Sequence, residues 1–262
     1  MKIRKKKGMS GFLVTMILLI AAALILLFAV TIMSKKITMN TAIDTCRFSV
    51  IAQSGTATAM TKSPLDVSCK TRYLDFTNTQ VKEGLSPDKK SAIKVFYNGK
   101  TITTFPELND YIVNQVVAEE MRICYFQFGE GKVKDLFANN DDSIGNKDDV
   151  CFICTQINFD KTIGSKTVKG FIDYINRTEV NGKGYTYLEY FDAPSESENT
   201  WSEFTNKIYD NNPSDKMVFD TSQTYDVVFR KDYDIFSKNG YYIYFIPMDQ
   251  LNNVCDIVVD SE

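Results

Sequence analysis

The prediction of the fold starts from residues 12–33, which read FLVTMILLIAAALILLFAVTIM and contain no charged side chain. At about 1.5 Å per residue, a helix of this length extends roughly 33 Å, which is enough to cross the ~30 Å hydrocarbon core of a bilayer. Because backbone groups cannot bond to water in that core, we expect a helix whose interior N–H groups are all paired internally. The sequence therefore predicts a transmembrane helix, which we place at residues 9–36.

Basic residues on either side of this run predict its orientation. The run is preceded by Lys2, Arg4, Lys5, Lys6 and Lys7, and it is followed by Lys35 and Lys36. Because five basic residues precede the run and two follow it, and the more basic flank stays in the cytoplasm, we expect a single-pass membrane protein with a cytoplasmic N-terminus and an extracytoplasmic C-terminal domain. A cleaved signal peptide is the alternative, but the apolar run exceeds the usual ~7–15 residues and no A-x-A site follows it.

The charge balance excludes one class of partner. Seven of the 30 basic residues lie in residues 1–36, which contain no acid, so residues 37–262 carry 23 basic and 33 acidic residues. A net charge of −10 repels phosphate backbones, and we therefore predict no nucleic-acid partner.

Histidine is absent from the whole chain. This excludes Ser-His-Asp and Cys-His catalytic arrangements, His-ligated metals and the usual proton shuttle near neutral pH. We predict no catalytic residue, no metal ligand and no cofactor.

The chain is predicted to divide into four parts. These are a basic cytoplasmic leader at 1–8, the transmembrane helix at 9–36, a helical extension or stalk at 37–62, and an extracytoplasmic α+β domain at 63–262. The extension is indicated by an apolar helical face formed by Met39, Ala42, Ile43, Cys46 and Val50.

One helix of the C-terminal domain has clear boundary signals. Thr104 can cap a helix at residues 106–128, and Gly129 can end it. Its predicted apolar side consists of Leu108, Tyr111, Ile112, Val116 and Ile123.

Several runs predict strands. Residues 93–97 and 100–103 flank Asn98-Gly99, which accepts the positive φ angles of a type I′ hairpin turn. Further apolar or aromatic runs lie at residues 150–159, 225–230, 241–246 and 254–259. The predicted fold class is therefore α+β: a long N-terminal transmembrane helix followed by a disulfide-stabilised domain of helices and antiparallel strands.

The six cysteines are Cys46, Cys69, Cys124, Cys151, Cys154 and Cys255. An even number outside a membrane predicts disulfides, although sequence cannot choose among the connectivities. The Cys151-x-x-Cys154 spacing also fits a redox motif or a thiolate metal site. Because residues three apart on a strand point to opposite faces, a strand would give the two cysteines different partners, whereas a local turn would let them bond to each other.

Three further polar features have ordinary interpretations. Residues 138–149 are rich in oxygen side chains, but they lack the glycine position of an EF-hand, so we predict an acidic solvated loop. Glu119 and Glu120 diverge by about 100° on a helix, and we assign them to its polar face rather than to catalysis. Asn176 begins the glycosylation sequon Asn176-Arg177-Thr178.

Residues 5–10, Lys-Lys-Lys-Gly-Met-Ser, directly precede the apolar run. A basic leader that ends in glycine before such a helix resembles the class III signal peptide of type IV pilins. The resemblance implies cleavage between Gly8 and Met9 on the cytoplasmic side. Leu13 stands where many pilins carry the glutamate used in filament assembly, and a plain signal-anchor with a polybasic flank is the alternative.

The segment from Glu119 to Lys132, together with the later Cys-x-x-Cys, resembles uncharacterised single-span archaeal surface proteins. That resemblance implies no known activity.

These observations predict a membrane-anchored cell-surface protein with a structural or binding, pilin-like role, and not an enzyme. The expected partners are the lipid bilayer and either further copies of the chain, through lateral association, or other surface proteins. The alternative is a membrane-tethered extracytoplasmic enzyme, either a Cys-based oxidoreductase or a His-free hydrolase that uses carboxylates.

Overall fold

A computed structural model describes residues 16, 18–20, 38–55, 67–131, 133, 150–192, 218–232 and 240–259. The chain divides into two compact units, Met1–Thr41 and Ala42–Glu262. The sheet, the disulfides and the site described below all belong to the second unit.

A seven-stranded mixed sheet forms the centre of the second unit. Its strands are β1 Arg72–Phe76, β2 Val81–Gly84, β3 Ser91–Ala92, β6 Val150–Phe159, β9 Tyr225–Asp232, β10 Gly240–Pro247 and β11 Ile257–Val259. They lie in the order β10-β9-β6-β1-β2-β3, with β11 also paired to β6. Two small two-stranded sheets are formed by β4 Val95–Tyr97 with β5 Lys100–Ile102, and by β7 Thr167–Val168 with β8 Phe219–Asp220.

Strand β6 organises the large sheet because it pairs with three other strands. It runs antiparallel to β9, and parallel to β11 at its beginning and to β1 at its end. Its apolar residues are mostly buried, as expected for a strand at the middle of a sheet. The expectation of an antiparallel sheet is therefore corrected to a mixed sheet.

Four α-helices accompany the sheets in the described residues of this part of the chain. They are α1 Met39–Gly55, α2 Asp110–Gln127, α3 Phe171–Arg177 and α4 Tyr187–Asp192. Short 3-10 helices lie at Lys161–Ile163 and Met248–Asn253.

Helix α2 confirms the helix predicted at residues 106–128, but it starts later. Asn109, not Thr104, is its N-cap, and the Asn109 side chain accepts a hydrogen bond from the Ile112 N–H. Gly129 has φ +80° just past the helix end, as predicted. The buried side is centred on Ile112, Val113, Val116, Val117, Met121 and Cys124, and it packs against the sheet.

The predicted transmembrane helix is contradicted. Across the described part of the chain, no helix combines the length and apolar character that a bilayer crossing requires. Helix α1 has 17 residues and includes Asp44 and Arg47, whereas the 18 residues of α2 include Asp110, Glu119, Glu120 and Arg122. Within residues 9–36 the structure describes only Met16 and residues 18–20, which are helical.

The fold class is accordingly a mixed α/β domain with disulfides, and the predicted long transmembrane helix and single-pass membrane localisation are wrong. The leader with its Gly8–Met9 processing site and the acidic run at 138–149 lie outside the described residues. Helix α1 occupies most of the predicted extension at 37–62.

The hairpin and most of the strand predictions are confirmed. Asn98 and Gly99 have φ angles of 50° and 75°, which are the left-handed values that a type I′ turn requires. Strand β6 covers the predicted 150–159, and β9 and β10 exceed their predicted ranges by one or two residues at an end. Only Ile257–Val259 of the predicted 254–259 is a strand, and it pairs parallel to β6.

Candidate functional site

A cleft of about 500 Å³ opens between the β4–β5 hairpin, helix α2, helix α3 and the segment that leads into α4. Its walls include Phe96, Tyr111, Gln115, Glu119, Tyr174 and Tyr187. This volume lies within the ~300–1,000 Å³ typical of small-molecule sites. It is the candidate site because it brings aromatic, amide and carboxyl groups together.

Helix α2 supplies one wall through residues spaced four apart. Tyr111, Gln115 and Glu119 recur at the i, i+4 spacing that places side chains on one face of a helix. Tyr111 is 44% exposed, so its prediction as part of the apolar core side was wrong. The helix thus turns one face to the sheet and another to the cleft.

The hairpin supplies the opposite wall and is hydrogen-bonded to the helix. The backbone N–H of Phe96 donates to Oε1 of Gln115 over 3.2 Å. Phe96 itself is 47% exposed and lines the cleft. This bond fixes the distance between the hairpin and α2, and with it the width of the cleft.

Three tyrosines line the side formed by α2, α3 and α4. The rings of Tyr111 and Tyr174 meet edge to face with centroids 5.5 Å apart, and those of Tyr174 and Tyr187 lie 6.2 Å apart. Burial raises the pKa of Tyr174, and nearby Tyr111 and Glu119 add to the rise. The phenol therefore stays neutral, and the aromatic surface is held by ring-to-ring contacts.

Glu119 is held in place by three donors. It accepts hydrogen bonds from Arg122 Nε over 2.8 Å, from Arg122 Nη2 over 2.6 Å, and from the Tyr187 hydroxyl over 3.0 Å. Burial, with the negative charge of Glu119, raises the pKa of Tyr187, which therefore remains a donor. This two-point contact with Arg122 is the geometry that guanidinium–carboxylate pairs favour.

Glu120 lies deeper in the same cleft and is only 3% exposed. Its Oε2 accepts a hydrogen bond from the Thr155 hydroxyl over 2.8 Å and lies 2.6 Å from Arg72 Nη2. Burial raises the pKa of this carboxyl to about 7, against the opposing effect of Arg72. The assignment of Glu120 to a solvated polar face was therefore wrong, whereas the divergence of Glu119 and Glu120 was right.

Arg72 joins Glu120 to the sheet. It is 1% exposed on β1, and its Nη1 donates to Glu83 Oε1 on β2 over 3.0 Å. The cluster of Arg72, Glu83 and Glu120 thus spans two strands and a helix. Both described contacts of Glu120 use Oε2, so its Oε1 has no partner among the residues that the structure describes.

The cysteines are all paired. Cys46 bonds to Cys69, Cys124 to Cys154, and Cys151 to Cys255, which leaves no free thiol. The prediction of disulfides is confirmed, and Cys151 and Cys154 have different partners, as expected for cysteines on a strand. Since none of the six lines the cleft, the disulfides stabilise the domain around the site and do not enter it.

The remaining predicted site residues lie elsewhere. Asn176 is exposed in the last turn of α3. Among the described residues, no group of three or more Cys, Asp or Glu is arranged to hold a metal ion. The cleft could not be predicted from local sequence, because Tyr174 and Tyr187 are far from Tyr111 along the chain; only the i, i+4 series on α2 indicates it.

Comparisons with known proteins add no relative. No protein-family model matches the chain, and no curated protein or solved structure matches it significantly. The likeness to type IV pilins and to archaeal surface proteins therefore stays a prediction from the sequence.

Proposed function

We propose that the chain is a disulfide-stabilised binding domain that receives a small ligand in the cleft between the β4–β5 hairpin and helix α2. The observation that carries this proposal is the exposure of Phe96 and Tyr111 at a cleft of about 500 Å³. Two large aromatic side chains that line the same cleft are each nearly half exposed. A ligand that covers them would remove this exposed apolar surface.

The cleft is also preformed, which favours binding. The Phe96–Gln115 hydrogen bond, the contacts among the tyrosines and the pairing of Glu119 with Arg122 hold the walls without any ligand. Walls that are already in place lose little conformational freedom when a ligand binds.

Three disulfides support a role in an oxidising compartment. Such bonds form and persist in secreted or extracytoplasmic proteins and are rare in the reducing cytosol. Because every cysteine is bonded and none lines the cleft, the Cys-based oxidoreductase is disfavoured.

A charge-diverse library of small molecules, screened by NMR on the full chain, tests the proposal. The side-chain amide signals of Gln115 and Asn181 report on the cleft, whereas that of Asn78, which bonds to Thr162 outside it, serves as the control. We expect at least one compound to shift the cleft signals saturably. If no compound of any charge does so, the binding proposal is rejected.

A matched pair of variants locates the binding. Tyr111→Ala removes an exposed ring at the cleft, and Phe48→Ala removes an exposed ring on α1 that does not line it. We expect the first substitution to weaken binding by about tenfold and the second to leave it unchanged. If the two substitutions changed the affinity equally, the ligand would bind outside this cleft.

One observation favours a second candidate function, a His-free hydrolase. Glu120 lines the cleft and has a pKa of about 7, which suits a general acid near neutral pH. Turnover of chromogenic esters or glycosides that is abolished in Glu120→Gln would support this function. Turnover that survives the substitution, or no turnover at all, rejects it.

A further inference from the structure

We propose that the ligand of the cleft is a neutral saccharide, which stacks on Phe96 and Tyr111 and exchanges hydrogen bonds with Gln115, Asn181 and Glu179. This inference rests on the proposed binding function and names the chemical class of its ligand. It follows from three properties of the walls: nearly balanced charge, exposed aromatic side chains, and polar groups that have no partner among the residues that the structure describes.

Balanced charge disfavours a strongly ionic ligand. Glu119 is paired with Arg122, and Glu120 lies 2.6 Å from Arg72. The other two charged side chains of the lining are Glu179 and Lys94, which are of opposite sign and exposed. Arg72 also pairs with Glu83, so these seven charged side chains sum to −1, an imbalance too small to select a strongly ionic ligand, and a polar but uncharged ligand fits best.

Aromatic faces at the rim suit the apolar face of a sugar ring. Phe96 on β4 and Tyr111 on α2 each leave nearly half of their surface exposed at the cleft. The Tyr111 ring is held edge to face by Tyr174, with centroids 5.5 Å apart. A saccharide presents flat C–H surfaces bordered by hydroxyls, and it would bury these rings while its hydroxyls reach the polar groups beside them.

The polar groups of the walls include both donors and acceptors. Gln115 uses Oε1 to hold the hairpin, and its amide nitrogen has no partner among the described residues. The side chains of Asn181 and Glu179 likewise have no hydrogen-bond or ion-pair partner in the described part of the chain. A hydroxyl donates one hydrogen bond and accepts others, so it can satisfy an amide and a carboxylate side by side.

Glu120 adds one acceptor at depth. Its Oε2 is occupied by Thr155 and Arg72, which leaves Oε1 available at the cleft lining. A hydroxyl that reaches Oε1 would donate a hydrogen bond to it. This contact would orient the ligand with one hydroxyl pointing toward the sheet.

Titration of the full chain with sugars that differ in charge but share a ring tests the proposal. The probes are glucose, galactose, mannose, N-acetylglucosamine and maltose as neutral saccharides, with glucosamine as the cation, glucuronate as the anion and sorbitol as an open-chain control. We expect at least one neutral saccharide to shift the Gln115 and Asn181 amide signals saturably. Glucosamine, glucuronate and sorbitol should bind at least about tenfold more weakly, because each adds charge or loses the flat ring face.

A matched pair of variants and one further substitution test the contacts. Tyr111→Ala removes the ring from the cleft, whereas Phe48→Ala removes an exposed ring on α1 that does not line it; we expect a loss of about tenfold for the first and unchanged affinity for the second. Gln115→Glu keeps the oxygen that binds the Phe96 N–H and removes the amide donors, so it should weaken saccharide binding while the hairpin stays in place. Backbone signals of Phe96 and Thr101 report whether the hairpin has moved.

The results of these experiments distinguish the saccharide assignment from the broader proposal that the cleft binds a small ligand. If only charged or aromatic library compounds bind at the cleft, the saccharide assignment is overturned and the binding function stands. If saccharides bind equally well to wild type and Tyr111→Ala, the assignment to this cleft is overturned. If nothing shifts the cleft signals, both are rejected.

Discussion

Cys151 and Cys154 lie three residues apart on strand β6 and form disulfides with different partners, Cys255 and Cys124. The register between β6 and β9 shifts by one residue between Ile153 and Thr155, at Cys154. One disulfide joins β6 to the segment just before β11, and the other joins it to helix α2. The central strand is therefore covalently linked both to the segment that leads into a neighbouring strand and to the helix that carries a wall of the cleft.

Removing the Cys151–Cys255 disulfide should destabilise the protein more than removing either of the others. It connects residues 104 apart, whereas the other two connect residues 30 and 23 apart. The chain-entropy relation gives about 4.7 kcal/mol for a loop near 100 residues and roughly 3.5 kcal/mol for loops of 20–30. Urea denaturation of the paired Cys→Ala variants measures the order. A smaller loss for C151A/C255A than for C46A/C69A would contradict it.

Thiol chemistry gives a second test of the connectivity. Without reductant, the denatured chain should show no thiol that reacts with a chromogenic reagent, because all six cysteines are bonded. Peptide mapping should recover Cys151 linked to Cys255 and Cys154 linked to Cys124. A recovered Cys151–Cys154 peptide would restore the redox interpretation.

The free energy of unfolding should fall as pH rises from about 4.5 to about 7. Burial raises the pKa of Glu120 from 4.5 to about 7 in the folded protein, so the folded state holds this proton more tightly than the unfolded state. The resulting stabilisation is fully present below pH 4.5 and is lost as pH rises through 7. The loss is on the order of 3 kcal/mol, since each pKa unit corresponds to about 1.4 kcal/mol.

Glu120→Gln should flatten that decline, because the amide does not titrate. The measurement is urea denaturation at a series of pH values between 4 and 8, roughly the range over which the proton is lost. Glu179→Gln, at an exposed position that also lines the cleft, is the matched control and should keep the wild-type slope. If the free energy of unfolding changed with pH in the same way in wild type and Glu120→Gln, folding would not raise the pKa of the Glu120 carboxyl.

The elements that could be predicted from the sequence are those that a short, continuous stretch of residues encodes. The Asn98-Gly99 turn accepts left-handed φ angles within two residues, and the apolar spacing along α2 is readable from a single segment. The parallel pairing of β1 with β6 joins residues about 80 apart, and no local pattern encodes it. Connectivity of the disulfides depends on the same long-range contacts and was therefore left open.

The transmembrane prediction rested on the long, uncharged apolar run at residues 12–33, whereas no helix in the described part of the structure meets the requirements of a span. The cleft was missed for a different reason. Tyr111 has an apolar ring at a helical spacing, so periodicity assigned it to the core, and only Gln115 and Glu119 at the following i+4 positions indicated a polar face.

Alanine substitutions at Gly99 and Gly129 distinguish the energetic cost of backbone conformation from the cost of side-chain packing. Gly99 has φ +75° and open space where a Cβ would lie, whereas at Gly129 (φ +80°) a Cβ would lie 2.2 Å from Cγ2 of Val133. Gly99→Ala should therefore cost about 1–2 kcal/mol of unfolding free energy, from conformation alone. Gly129→Ala should cost more, because the Val133 side chain must also move. Urea denaturation of both variants measures the difference.

In ligand affinity, the same two variants should rank in the opposite order: Gly99→Ala should lose more than Gly129→Ala. Gly99 closes the hairpin that carries Phe96, so strain in its turn should alter the cleft wall and weaken ligand binding. Gly129 lies past the end of α2 and does not line the cleft, so the folded Gly129→Ala protein should bind normally. If Gly129→Ala weakened binding while Gly99→Ala did not, the hairpin would not be the wall that holds the ligand, and the site would have to lie nearer the C-terminal end of α2.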